Sequence, residues 1–212
     1  MYQGIRNDEC LICEESLIFG LDLYSLLVDD LICFKCRQKL QEKIVFDEFE
    51  AYPLISFYKY NDEVSSLLIR YKDLLDIVLA PIFLRRWMWL INILYKDYKI
   101  ILIPSSPSLL KKRGFSHLNL MLQDCNLEVI DCLKKQDKIQ RFAKDRQKVK
   151  FEFLFKPDNL KKIIIFDDVI TSGSSMKAAI DILAPICSKI VLISITTNIK
   201  KEKNNARKSK VV

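Results

Sequence analysis

One stretch, Ile163-Ile164-Ile165-Phe166-Asp167-Asp168-Val169-Ile170-Thr171-Ser172-Gly173-Ser174-Ser175, limits what this chain can fold into. Four apolar residues run into two adjacent acids, two more apolar residues follow, and five small or hydroxylated residues close the run. Met176, Ile180, Leu183 and Cys187 then repeat at helical spacing. The stretch predicts a buried strand, an acid pair, a small-residue loop and a helix N-terminus. Such a loop aims backbone N–H groups and hydroxyls at an anion, and the helix dipole favours it. The two acids cannot hold that anion; they suit hydroxyl groups or a metal ion beside it. Together they fit a small molecule that carries both a phosphate and a diol. The plainer alternative is an Asp-rich turn before a capped helix.

At 212 residues the chain can hold one domain with a proper core, or one domain and a small module. Half of its residues are hydrophobic, which argues against disorder for most of it. The net charge of +7 is local. Residues 134–150 hold eight Lys/Arg against two Asp, residues 200–212 hold six Lys/Arg against one Glu, and the remainder is net acidic. Local basic segments suit polyanionic partners such as nucleic acid or phosphorylated ligands; a solvated linker and a disordered tail are the plain reading, and the tail fits it better.

The first residues are polar and include Asp8 and Glu9, so no signal peptide is expected. The most membrane-like stretch, Leu74 to Tyr95, carries Arg85 and Arg86 in its middle and is interrupted by Pro81, which argues against a spanning helix and against an integral membrane protein. A reducing, cytoplasmic setting is therefore expected, with cysteine pairs acting as metal ligands or packing groups.

Cys10-x-x-Cys13 and Cys33-x-x-Cys36 are separated by nineteen residues. That spacing fits a tetrahedral four-thiolate Zn²⁺ site, and with four protein ligands it would be structural. Cys125, Cys132 and Cys187 lack such spacing and read as packing residues.

Residues 47–60 alternate around Tyr52, Leu54, Ile55, Phe57 and Tyr58 as one or two short strands. Asn61 or Asp62 can cap a helix with Val64, Leu67, Leu68 and Tyr71 on one face. Leu74 to Tyr95 reads as one or two buried helices, Lys99 to Ile103 as a strand ending in the tight loop Pro104-Ser105-Ser106-Pro107, and a helical pattern then runs through Leu109, Leu110, Leu118, Met121 and Leu122. Residues 126–133 and Phe151 to Phe155 supply two more short strands on either side of the basic segment, which is expected to form a flexible loop that closes over a phosphate-rich ligand. Lys189 to Thr196 is another buried strand. His117, the sole histidine, reads as a surface or capping residue. Alternating strands and helices give an α/β fold with a largely parallel sheet flanked by helices, both loops lying at its carboxyl edge. The expected organisation is a zinc-binding module over 1–46, an α/β domain over 47–197 and a basic tail over 198–212.

The Ile163–Ser175 stretch resembles the signature of type I phosphoribosyltransferases, which binds phosphoribosyl pyrophosphate (PRPP). A double Cys-x-x-Cys module, a Pro-containing strand end, Arg113-Gly114-Phe115, a basic segment and this loop occur in the same order in the ComF family, competence-associated, phosphoribosyltransferase-like proteins of bacteria. The helix ending in Leu68-Ile69-Arg70-Tyr71-Lys72 also resembles the one that family places before its core. The resemblance covers Cys10 to about Thr197. The chain departs from it at Ser116-His117, where Asn-Gln is usual, and over Arg146 to Phe153, where an Asn is missing.

The resemblance implies a type I phosphoribosyltransferase-like fold. It implies that Asp167 and Asp168 hold the ribose, that Thr171, Ser172, Gly173, Ser174 and Ser175 hold the 5′-phosphate, and that Pro104, Ser105 and Ser106 face the pyrophosphate. Mg²⁺ would accompany PRPP, with Arg146 in a lid. Three functions follow as expectations: a PRPP-binding protein of DNA uptake and natural transformation that also binds single-stranded DNA and meets the uptake machinery; a metabolic phosphoribosyltransferase for a nucleobase or amide nitrogen; or a non-enzymatic zinc and DNA-binding module with PRPP as a sensed ligand. The acceptor of any transfer is not legible in the residues.

Overall fold

A computed structural model describes residues 9–17, 31–135, 149–157 and 160–199. Its centre is a six-stranded sheet. Strands β1 (Glu42–Phe49) and β2 (Tyr52–Lys59) form an antiparallel hairpin at one edge. β3 (Lys99–Leu102) and β4 (Val129–Ile130) lie at the other. A separate antiparallel pair, β5 (Leu133–Lys135) and β6 (Phe151–Phe153), stands outside the sheet. The two long central strands are β7 (Lys162–Ile170) and β8 (Lys189–Thr197). The order across the sheet is β1-β2-β8-β7-β3-β4, parallel at every pairing except the hairpin. The mixed α/β architecture and mostly parallel sheet expected from the sequence are present.

β7 and β8 are central because both their faces are covered. Ile164 and Phe166 of β7, with Val191, Ile193 and Ile195 of β8, point into one apolar cluster. Ile163, Ile165, Ile190 and Leu192 point into a second on the opposite face. A strand buried on both sides needs a continuous apolar run, and each fully buried Ile or Phe contributes roughly 1.5–3 kcal/mol. The first cluster is covered by α2 (Asp62–Lys72), by a 3₁₀ helix over Ile77–Phe83 and by α3 (Arg85–Leu94), and it reaches back to Cys10, Ile32, Cys36 and Leu40 around α1 (Phe34–Leu40). The second is covered by α6 (Ser174–Leu183).

Pro81 lies inside the 3₁₀ helix, which meets α3 across a 51° bend. Among the described residues, no single helix is long and apolar enough to cross a membrane; only this bent pair, taken together, has the length and composition. Trp87 of α3 stacks on Phe57 in the core at 5.8 Å between ring centroids, whereas Trp89 is 59% exposed. The helical pattern after Pro107 divides into α4 (Pro107–Arg113) and α5 (His117–Met121), because Gly114 adopts the left-handed conformation (φ 76°) that ends α4. β1 begins at Glu42, so it runs across residue 46, and the cysteine segment shares its core with the sheet.

Candidate functional site

The acid pair sits at the carboxyl end of β7. Asp168 is buried and Asp167 is half-buried. The backbone N–H of Asp168 donates to Asp167 Oδ1 at 2.9 Å, and that of Val169 donates to Asp168 Oδ1 at 2.9 Å.

Two helices close on Asp168. Lys72, the last residue of α2, forms an ion pair with Asp168 Oδ2. His117 of α5 places Nε2 3.9 Å from the same oxygen. Burial works to raise the Asp168 pKa, but Lys72 and His117 outweigh it and hold the carboxyl below its ordinary range. Asp167 goes the other way: burial and the neighbouring Asp168 charge push its pKa well up. The pair therefore combines an anchored carboxylate with one that gains protons readily, as two carboxyls sharing one site do.

The loop after β7 turns sharply into α6. Gly173, at the helix N-cap, has φ 71°, and a methyl group there would overlap the ring of Phe49, which reaches over from β1. Glycine is required on both counts. Ser172 and Ser174 hydroxyls lie 3.0 Å apart, and Ser172 Oγ also accepts from the Ser174 N–H at 3.4 Å. The first turn of α6 is framed by Thr171, Ser172, Ser174 and Ser175, a setting that suits an anion. The turn of the β1–β2 hairpin braces this end of the helix, Glu50 pairing with Lys177 at 2.7 Å.

The second loop lies alongside. β3 pairs with β7 through Leu102 and Phe166, and the Ile103 N–H donates to the Phe166 carbonyl at 3.0 Å. Pro104, Ser105 and Ser106 thus emerge beside the acid pair, at the ends of adjacent parallel strands. Ser106 Oγ accepts from the Leu109 N–H at 3.4 Å and caps α4, while Ser105 Oγ lies 3.5 Å from His117 Nδ1. Arg146 lies outside the described residues, as do 136–148 of the basic segment and 200–212 of the tail.

His117 corrects the sequence reading. It is 6% exposed and stands between the two loops, its ring facing Ser105 on one side and Asp168 on the other. The reason lies in the residues before it. Gly114 turns the chain, Phe115 packs on Tyr71 at 5.9 Å between centroids, and Tyr71 Oη donates to the His117 carbonyl at 2.7 Å. Burial drives the His117 pKa down to about 4; Asp168 opposes the fall and Lys72 and Arg113 add to it, so the ring is neutral at pH 7. Lys72 was also missed. Its helix was visible in the sequence, but a separation of ninety-six positions leaves no local signal of the contact between Lys72 and Asp168.

The four cysteines of the two knuckles come together with all their Sγ atoms within 4.8 Å of one another. Backbone hydrogen bonds from Cys33, Cys13 and Ile12 outweigh burial and bring the Cys10 thiol down to about 7, while burial and the neighbouring sulfurs push Cys36 up. Four convergent sulfurs suit a closed tetrahedral Zn²⁺ site, and a cation would remove the conflict among them. Of the other cysteines, Cys132 is fully buried, and Cys125 accepts from the Leu127 N–H at 3.4 Å, in keeping with packing roles.

No protein-family model matches the chain. Competence protein ComFC of Streptococcus pneumoniae (strain ATCC BAA-255 / R6) is 27% identical to it over 128 residues, 57% of each protein. This distant similarity supports the resemblance to the ComF family. The match spans little more than half the length of that relative, and the ComF-type reading of this chain also rests on the four-cysteine cluster.

Proposed function

We propose that the ComF-type pocket at the carboxyl ends of β3 and β7 binds PRPP. One observation carries this reading: a single strand ends in an acid pair and turns at a glycine into a hydroxyl-rich helix N-terminus, with a second loop on the adjacent parallel strand beside them. The 5′-phosphate is held by Thr171 to Ser175, the ribose hydroxyls by Asp167 and Asp168, and the pyrophosphate by the loop over Pro104 to Ser106, where Ser105 Oγ lies 3.5 Å from His117 Nδ1. Asp167 and Asp168 are the carboxylates that would hold a Mg²⁺ accompanying the ligand, and such an ion would neutralise pyrophosphate charge. If pyrophosphate departs, positive charge grows on the ribose, and the same carboxylates stabilise it.

In this reading the protein works in the cytoplasm in natural transformation, as the name of its pneumococcal relative suggests, with single-stranded DNA as a further partner of its basic segments. Calorimetric titration with PRPP and Mg²⁺ tests the pocket. Saturable binding is expected, weakened about tenfold or more in Asp167→Asn and in Ser172→Ala; absence of binding by the wild-type protein would overturn it. A screen for pyrophosphate release across nucleobases separates a metabolic transferase from a binding protein. Single-stranded DNA binding should fall steeply with salt, and failure to bind at low salt removes DNA as a direct partner.

A further inference from the structure

The last turn of α2 carries three consecutive residues that each hold a different part of the molecule. Arg70 Nη1 donates to the Ile12 carbonyl at 3.1 Å, while its Nε donates to Asp76 at 2.7 Å. Tyr71, fully buried, holds the His117 carbonyl. Lys72 holds Asp168. Ile12 lies inside the first cysteine knuckle, and its own N–H donates to Cys10 Sγ at 3.5 Å. Residues two apart on a helix point to nearly opposite sides. Arg70 therefore reaches the cysteine module and Lys72 reaches the acid pair from the two sides of one rigid rod, which Tyr71 fixes in the core between them.

We propose that α2 is a strut through which the zinc-loaded cysteine module sets the geometry of the ligand pocket, with Arg70 and Lys72 as positioning residues. The proposal rests on the PRPP reading of that pocket. Its physical basis is the crowding of the sulfurs. Four of them lie within 4.8 Å of one another, and a cation among them adds the bonds that hold the two knuckles tightly together. When they separate, the Ile12 carbonyl moves and Arg70 loses its acceptor. The end of α2 then loses its tie on the module side. Lys72 sits at that end, so the position of Asp168, and through His117 that of Ser105, follows the state of the module. The pocket and the cysteine site thereby become two sites linked by one element, and the coupling is reciprocal.

The test uses the full chain, loaded with zinc, then stripped with a chelator and reloaded. Two quantities are read in each state: affinity for PRPP with Mg²⁺, and amide hydrogen exchange over residues 167–175. Stripping should weaken binding by about fivefold or more and speed exchange in that loop, and reloading should restore both. Arg70→Ala should keep one zinc per chain, show the weaker binding and faster exchange already when loaded, and respond little to stripping. Arg70→Lys, which keeps a donor, should restore much of the zinc response. Unchanged affinity and exchange on stripping the wild-type protein would overturn the strut, as would an Arg70→Ala protein that responds to zinc as the wild type does. Failure of the loaded wild-type protein to bind PRPP would instead sink the pocket's assignment, and the exchange measurement would still decide the coupling.

Discussion

Lys72, at the end of α2, and Asp168, ninety-six residues later at the end of β7, form a largely buried ion pair. Removing one partner of such a pair leaves an uncompensated charge beside another carboxyl. Lys72→Met should destabilise the protein by about 2–4 kcal/mol at pH 7 in urea denaturation. The folded-state pKa of Asp168 is depressed in the wild type, so the stability it contributes is present above the ordinary carboxylate range and lost as pH falls through it. The gap between variant and wild type should therefore narrow on acidification, and a gap independent of pH would show that the pair is not its source.

His117 gives a second pH dependence. Its folded pKa of about 4 lies below its ordinary value of 6.5, so the unfolded chain takes up the proton first. Stability should be greatest above pH 6.5 and fall as the pH drops from there toward 4. His117→Asn should flatten that stretch of the profile. An NMR titration placing the His117 pKa near its ordinary value would count against its burial between the two loops.

Gly173 meets two demands, a left-handed backbone and the ring of Phe49. Gly173→Ala should cost about 1–3 kcal/mol, measured by chemical denaturation. The double variant Phe49→Ala/Gly173→Ala removes the overlap but not the backbone strain. It should be less destabilised than the sum of the two single variants, and simple additivity would show that the ring does not limit this position.

The cysteine cluster predicts one tightly held zinc per chain, detectable by elemental analysis of protein purified without chelator. Cys36→Ser should reduce that content to near zero and lower the thermal stability, because Cys36 belongs to both the ligand set and the hydrophobic core. Metal-free wild-type protein would refute the site.

The residues Ile163 to Ser175 determine their own local structure. A short Ile-rich apolar run bounded by acids and a small-residue loop reads as a strand covered on both faces, a glycine suits the turn into α6, and the hydroxyl-rich loop leads into a helical repeat. The two knuckles were equally readable, because ligand spacing within each is a property of one tight turn. The edge hairpin was less so: alternation suggested one or two strands over 47–60, whereas β1 begins at Glu42, because its pairing with β2 depends on a partner strand and not on its own pattern.

Only the tertiary structure decided which groups face the acid pair. His117 looks like a surface residue because its burial depends on Gly114 turning the chain, Phe115 packing on Tyr71, and Tyr71 holding its carbonyl. Lys72 follows the apolar face of α2 and carries no sign of a buried partner until β7 is laid beside it. The sequence by itself determined the strand, the loop and the knuckles, since those rest on interactions a few residues apart. The charge state of the acid pair and the link from the cysteines to it rest on contacts made across the sheet, and those exist only once the layers have packed.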